Sequence, residues 1–300
     1  MIPAIDVGTV AGAPPVHRRA ITALAQIEAR RYAVRPALWI GWLGTVLVAV
    51  YQRPDWPAGA YQQVLPVSFA FLGLGTFVAA VQAGARDRHP LAGEAALDVH
   101  ARAAARLAGL VAPVLLAALT AVGIWLAAAI EGGFWLGDPP RRTDTANYSA
   151  LELLQPVLLV ALAGAVGLAV GRARRQLVGG VVLAVVAWTA LFPLYWVWNN
   201  AWLYPAAPIQ TMPLRVPLPF GRNSIGTPAD WLVERPTRYT RAYTRSIVHQ
   251  PTVLLHDVYL AGLLVVAAAG VSEHRRTAIR GAGVALAAVG VAAQYAVSPA

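Results

Sequence analysis

The fold is decided by residues 65–130. This stretch contains an apolar run, LPVSFAFLGLGTFVAAVQAGA (65–85), a polar bridge, RDRHPLAGEAALDVHARAAAR (86–106), and a second apolar run, LAGLVAPVLLAALTAVGIWLAAAI (107–130). About 20 apolar residues in a helix cross a hydrocarbon core of about 30 Å, so each run is predicted to be a transmembrane helix. The bridge contains four arginines. Because short loops rich in Arg and Lys are retained inside, we expect the bridge to be cytoplasmic.

The composition extends this interpretation to the whole chain. Hydrophobic residues make up 58% of the sequence and charged residues 13%, whereas an ordinary soluble domain has about 25% charged residues. The fold class is therefore predicted to be all-α, a polytopic helical membrane protein with about seven transmembrane helices. The expected spans are residues 37–51, 65–85, 107–130, 151–171, 177–198, 253–271 and 279–297.

The distribution of arginine predicts the orientation. Fifteen arginines precede the first span or lie in connections of the same side, whereas the two short loops of the other side contain only Arg53, Arg141 and Arg142. The N-terminus is therefore expected in the cytoplasm and the C-terminus outside. Residues 1–16 are expected to form a flexible tail, residues 17–35 a basic amphipathic helix at the membrane interface, and residues 36–300 a single transmembrane domain.

Two residue types are missing, and their absence limits the chemistry. The chain has no cysteine, and all 24 basic residues are arginine. It therefore has no thiol nucleophile, no cysteine zinc ligand and no lysine for a phosphate-binding loop, so ATP would have to be bound by another chain. None of the six histidines has a partner at the i, i+4 spacing, and we expect no metal, cofactor or catalytic residue here. Arginine without lysine in an alanine-rich chain suggests a bacterial source and hence the bacterial plasma membrane.

A long connection, residues 199–252, is expected outside the cell. Four of its arginines, Arg235, Arg238, Arg241 and Arg245, recur at helical spacing and share one face. This stripe is a candidate contact for anionic headgroups or an anionic substrate. The alternative is a helix that lies on the membrane with solvated charges.

Three polar residues lie near the outer ends of predicted spans: Glu152, His256 and Asp257. Since charges within a bilayer are costly, these residues are candidates for an outer gate or vestibule. The alternative is that they cap helices or pair with arginines of the loops. His256 and Asp257 are adjacent, so their side chains point about 100° apart on a helix and do not form a catalytic pair.

The bridge carries a further candidate surface. In a helix from about residue 90 to 106, Glu94, Asp98 and Arg102 would share one face, as a charged strip for a soluble partner. The alternative is a solvated hairpin tip held by i, i+4 pairs. In span 151–171, Gly164, Gly167 and Gly171 are expected to allow close helix packing, as are Gly73 and Gly75 in span 65–85.

The order of these motifs resembles a known family. EARR (28–31) leads into RPALW (35–39) and a span, a second span ends in RDRH (86–89), and Gly93, Glu94 and Arg102 follow. This arrangement resembles the permease subunits of actinobacterial type-2 ATP-binding-cassette (ABC) exporters over most of the chain, including the last two spans with their short basic turn. The family commonly has six spans, so the seventh span and the long outer loop depart from it.

The resemblance implies a cytoplasmic coupling region between spans two and three that docks on an ATPase. Its residues would be Arg86, Arg88, Gly93, Glu94 and Arg102, and the charged strip adds Asp98. ATP and magnesium would belong to the ATPase, and the permease would pair with itself or with a sibling.

The expected function is that of a permease subunit that exports a small or lipid-like substrate across the plasma membrane. Two alternatives remain open. One is an integral membrane enzyme that acts on lipid-linked substrates of the outer leaflet, with Glu152, His256 and Asp257 in its site. The other is a membrane scaffold that transports nothing.

Overall fold

The computed structural model describes residues 14–52, 58–86, 97–135, 145–173, 204–208, 250–271 and 276–297, and isolated helical positions at 179, 181–182 and 185–186. The helices in these ranges are α1 (Pro14–Ala33), α2 (Pro36–Tyr51), α3 (Ala58–Ala85), α4 (Val99–Gly109), α5 (Val111–Ile130), α6 (Ala150–Ala173), α7 (Gln250–Val271) and α8 (Arg276–Val297). A two-residue strand β1 (Phe134–Trp135) pairs antiparallel with β2 (Thr145–Ala146), and Tyr204–Ala206 forms a 3-10 turn.

Five segments of the described chain are long and apolar enough to cross a bilayer: Val64–Ala85, Val99–Ile130, Ala150–Ala173, Gln250–Val271 and Thr277–Val297. The bent pair α1 and α2 would bring the number to six. The prediction of a helical chain with several membrane-spanning segments is therefore confirmed in this coarse form. Most of the predicted span at 177–198 lies outside the described residues.

The bend between α1 and α2 follows from proline. Pro36 is the first residue of α2, and Arg35 before it is extended, with φ −81° and ψ 127°. A residue before proline is disfavoured in the helical conformation, so α1 ends just ahead of it and α2 leaves at 57°. The Trp39 indole then donates a hydrogen bond to the Ala33 carbonyl across the bend at 2.6 Å.

The bridge differs from the prediction at Asp98. A single helix from about residue 90 to 106 is wrong, because Asp98 is extended (φ −63°, ψ 167°) and α4 begins only at Val99. The Asp98 carboxylate accepts a hydrogen bond from the Ala101 amide at 2.6 Å, as an N-cap does. Asp98 therefore cannot share a continuous helix face with Glu94 and Arg102.

The glycines of α6 allow two spans to touch. A Cβ added to Gly167 would lie 2.5 Å from the Phe77 carbonyl oxygen, and one added to Gly171 would lie 2.2 Å from that of Val81. Such distances leave no room for a side chain, so the backbones of α3 and α6 meet there. The prediction that these glycines allow close helix packing is confirmed.

The helices define two ends of the bundle. One end, called the arginine end, contains Arg35, Arg86, Arg106, Arg172 and Arg280. The other end, called the Glu152 end, contains Ser149, Glu152 and Gln250. Helices α6 and α7 run parallel, because Ser149 contacts Gln250 at their starts and Arg172 donates to the Val271 carbonyl at their ends.

Candidate functional site

A buried carboxylate lies at the arginine end. Glu28, in α1, is 2% exposed. Its Oε2 is 3.0 Å from Arg86 Nη1 at the end of α3, and its Oε1 is 2.6 Å from Arg31 Nη1 one turn along α1. Since an unpaired buried charge is strongly unfavourable, these two guanidinium groups are what allows a carboxylate at this position.

Close packing of α1 against α4 brings Glu28 into the bundle. A Cβ added to Gly109, the last residue of α4, would lie only 2.8 Å from Glu28 Cβ. Tyr32, one turn after Glu28, is also buried and contributes to the core with Leu110 and Leu168. Residue 109 therefore has to be glycine for α1 to approach this closely.

A second hydrogen bond joins the same elements, but here the donor is on the α1 side and the acceptor is in α3. Arg35, at the bend after α1, donates to the Gln82 side-chain oxygen in α3. Gln82 lies one turn before Arg86, so the end of α3 accepts a hydrogen bond from the bend and the residue that follows α3 donates one to α1. We name this set the α1–α3 clamp: Glu28, Arg31, Arg35, Gln82 and Arg86.

Sequence reasoning did not predict the clamp, although a signal was present. Glu28 is the one acidic residue between Asp6 and Asp55, a segment that contains six arginines. A lone carboxylate in a basic segment next to a span is a candidate for a specific pair. Its partner, however, lies far along the chain and is defined only by the packing of α1.

The predicted coupling residues that the structure describes make three different kinds of contact. Arg86 belongs to the clamp, Asp98 caps α4, and Arg102 donates to the Leu97 carbonyl beside that cap. Arg88, Gly93 and Glu94 lie outside the described residues. The part of the bridge that is described thus connects directly to α1 through Arg86.

At the opposite end, Glu152 stabilises a helix start. It is 4% exposed, and its Oε2 accepts the Ser149 amide at 2.8 Å while Ser149 Oγ accepts the Glu152 amide at 3.3 Å. This reciprocal pair is a capping box, for which Ser-x-x-Glu is the sequence signature. Gln250 joins it, since its Nε2 donates to Glu152 at 3.3 Å and its Oε1 accepts from Ser149 at 2.8 Å.

Tyr148 precedes this capping box and is buried. Its ring centroid lies 4.8 Å from that of Phe134 in β1. Burial raises the pKa of the Tyr148 phenol well above its usual range, and the Glu152 carboxylate adds to the shift. The phenol therefore stays neutral beside Glu152.

His256 and Asp257 are the seventh and eighth residues of α7, and both are buried. His256 borders a small cavity of about 20 Å³ together with Gln155, Pro66 and Pro156. Among the described residues, neither Asp257 oxygen nor His256 Nδ1 has a hydrogen-bond partner.

Glu152 and His256, two of the three residues predicted for an outer gate, make different contacts. Glu152 bonds to Ser149 and Gln250, while His256 faces the cavity beside Gln155. In the part of the chain that is described, no group of three or more His, Cys, Asp or Glu residues is placed to hold a metal ion. The arginine stripe, Arg235, Arg238, Arg241 and Arg245, lies outside the described residues.

Comparisons of the chain with family models, with curated proteins and with solved structures give no match.

Proposed function

We propose that this chain is the membrane permease subunit of a type-2 ABC exporter, driven by a separate ATPase. The observation that carries the proposal is the α1–α3 clamp. The clamp joins α1 to the end of α3, immediately before the bridge that the family resemblance assigns to ATPase coupling. A force on the bridge would then reach α1, the bend at Arg35 and α3 together.

The proposed topology has seven spans, with the arginine end in the cytoplasm. Helices α6 and α7 are parallel, so residues 174–249 have to cross the membrane an odd number of times if both helices span it. The apolar run 177–198 supplies one such crossing. Among the described residues, no arginine lies at the Glu152 end, which agrees with the retention of positive charge inside.

The enzyme alternative has less support. It would place Glu152, His256 and Asp257 in one outer site. Glu152 is instead engaged in a capping box, and its carboxylate oxygen already accepts from Ser149 and Gln250. A general acid or base has to reach its substrate, and this carboxylate is 4% exposed.

The test uses the chain together with the ATPase encoded beside its gene. We expect the purified chain alone to hydrolyse no ATP, because it has no lysine for a phosphate-binding loop. Reversal of charge at Glu94 and Arg102 should abolish co-purification with that ATPase while membrane insertion is retained. The matched control is charge reversal at Arg19, which is exposed on α1. A double variant that co-purifies like the unmodified chain would refute the coupling role of the bridge, and ATPase activity of the isolated chain would refute the assignment.

A further inference from the structure

A long apolar groove is lined mainly by α6 and α7, with one residue each from α3 (Phe77), the segment 204–208 (Pro208) and α8 (Arg280). Its volume is about 520 Å³, and Arg280 is the one charged residue among the described residues that line it. On α6 the lining extends from Leu159 to Val170, a rise of about 16 Å. This length matches one leaflet, since the hydrocarbon core is about 30 Å thick in total.

Part of the groove wall is only partly buried. Val166, Leu263 and Ala267 line it and keep part of their surface exposed, although each lies in a membrane-spanning helix next to another helix. On the α3 side, Val181 packs beside Val166 against the cluster that contains Phe77 and Leu159. No described polar side chain other than Arg280 lines this surface. The groove therefore suits a hydrocarbon chain and not a polar solute.

Arg280 lies at the arginine end of the groove. It is half-buried in α8 and its Nη2 approaches Gly270 of α7, 3.9 Å from where a Cβ on that glycine would lie. Within the described chain, no carboxylate pairs with Arg280. A cation near the end of a span is costly without an anion, and a long arginine side chain reaches the headgroup level.

We propose that this groove binds one anionic phospholipid from the leaflet at the arginine end. The guanidinium of Arg280 contacts the lipid phosphate, and one acyl chain lies along α6 and α7 toward Leu159. The charge at one end of the groove and the leaflet-length apolar wall together define this ligand. The site does not depend on the proposed transport function, because an anionic lipid would bind here in a transporter, an enzyme or a scaffold.

Native mass spectrometry of the intact chain, titrated with phosphatidylglycerol or with phosphatidylcholine, tests the site. The unmodified chain should bind a first phosphatidylglycerol about fivefold more tightly than phosphatidylcholine, the preference expected from one basic residue near an anionic headgroup. Arg280→Gln should abolish this preference, and Arg280→Lys should retain it.

A second pair of variants separates the groove from the rest of the lipid-facing surface. Ala267→Phe fills the groove and should weaken the binding of both lipids, whereas Val284→Phe, at an exposed position of α8 outside the groove, should change neither. The proposal is refuted if Arg280→Gln retains the full preference for phosphatidylglycerol, or if folded Ala267→Phe binds both lipids like the unmodified chain. If Ala267→Phe does not fold, the lipid preferences of the variants Arg280→Gln and Arg280→Lys test the proposal.

Discussion

Arg86 at the end of α3 pairs with Glu28 of α1 at 3.0 Å, although 58 residues separate them in the chain. The Glu28 side chain is almost completely buried, while that of Arg86 is 30% exposed. The pair therefore joins a helix outside the five candidate spans to the end of one of those candidates. Any movement of the bridge that follows Arg86 has to be accommodated by α1 or has to break a buried ion pair.

Loss of Arg86 should destabilise the protein more than loss of an exposed arginine. Removing one partner of a buried pair costs about 3–5 kcal/mol, but Arg31 remains beside Glu28 and Arg86 is partly exposed. We therefore expect Arg86→Gln to lower the free energy of unfolding by about 2 kcal/mol, close to that of a hydrogen bond to a charged group. Thermal and denaturant unfolding in detergent would measure this.

Two controls accompany the clamp variant. Arg30→Gln, at an exposed position of α1, should change the free energy of unfolding by less than about 0.5 kcal/mol. The double variant Glu28→Gln with Arg86→Gln should recover part of the loss, because no buried charge is left uncompensated. Equal stability of Arg86→Gln and Arg30→Gln would mean that the clamp contributes nothing.

The sequence predicted the spans because their signal is local. Residues 65–85, 107–130 and 151–171 are apolar runs bounded by charge, and helices α3, α5 and α6 end within a few residues of the predicted bounds. The capping box also has a local signature, since Ser149 and Glu152 have the required spacing, although helix capping was only the alternative interpretation of Glu152. The short strands β1 and β2 were not predicted, because two-residue strands have no periodicity to detect.

The tertiary contacts of the candidate site could not be predicted in the same way. The pair of Glu28 and Arg86 depends on how α1 packs beside α4, which no local pattern specifies. The predicted helix from about residue 90 to 106 is wrong at Asp98, because Asp, a poor residue within a helix and a good N-cap, starts α4 instead of continuing a helix through it. Local propensity at Asp98 was therefore a better guide than the i, i+4 spacing.

Removal of the Ser149 hydroxyl should weaken the start of α6. Ser149→Ala eliminates the acceptor for the Glu152 amide and the donor to Gln250, so we expect a loss of about 1–2 kcal/mol in the free energy of unfolding. Ser149→Thr preserves the hydroxyl and should retain most of the stability. An unchanged midpoint of denaturant unfolding for Ser149→Ala would show that the capping box is not needed.

The effect of a glycine-to-alanine substitution on stability should differ between two glycines of the candidate spans. Gly171→Ala places a Cβ 2.2 Å from the Val81 carbonyl oxygen and forces α3 and α6 apart, which should cost about 1–3 kcal/mol. Gly123→Ala, in α5, has no atom within 4 Å of the new Cβ and should be neutral or stabilising by up to about 1 kcal/mol. The melting temperatures of the two variants would be compared. If Gly171→Ala melted like Gly123→Ala, the close α3–α6 contact would be refuted.

The absence of native cysteine makes the orientation directly measurable. Single cysteines introduced at Ala300 and at Ala104 would be the only thiols in each variant, so a membrane-impermeant maleimide reports their side of the membrane without background. Because α6 and α7 are parallel, seven spans put the C-terminus on the side opposite to the bridge. We therefore expect Ala300→Cys to be labelled in intact cells and Ala104→Cys, exposed on α4 at the arginine end, to be labelled only after lysis. Protection of both positions in intact cells would exclude the seven-span topology, and the reverse pattern would place the arginine end outside.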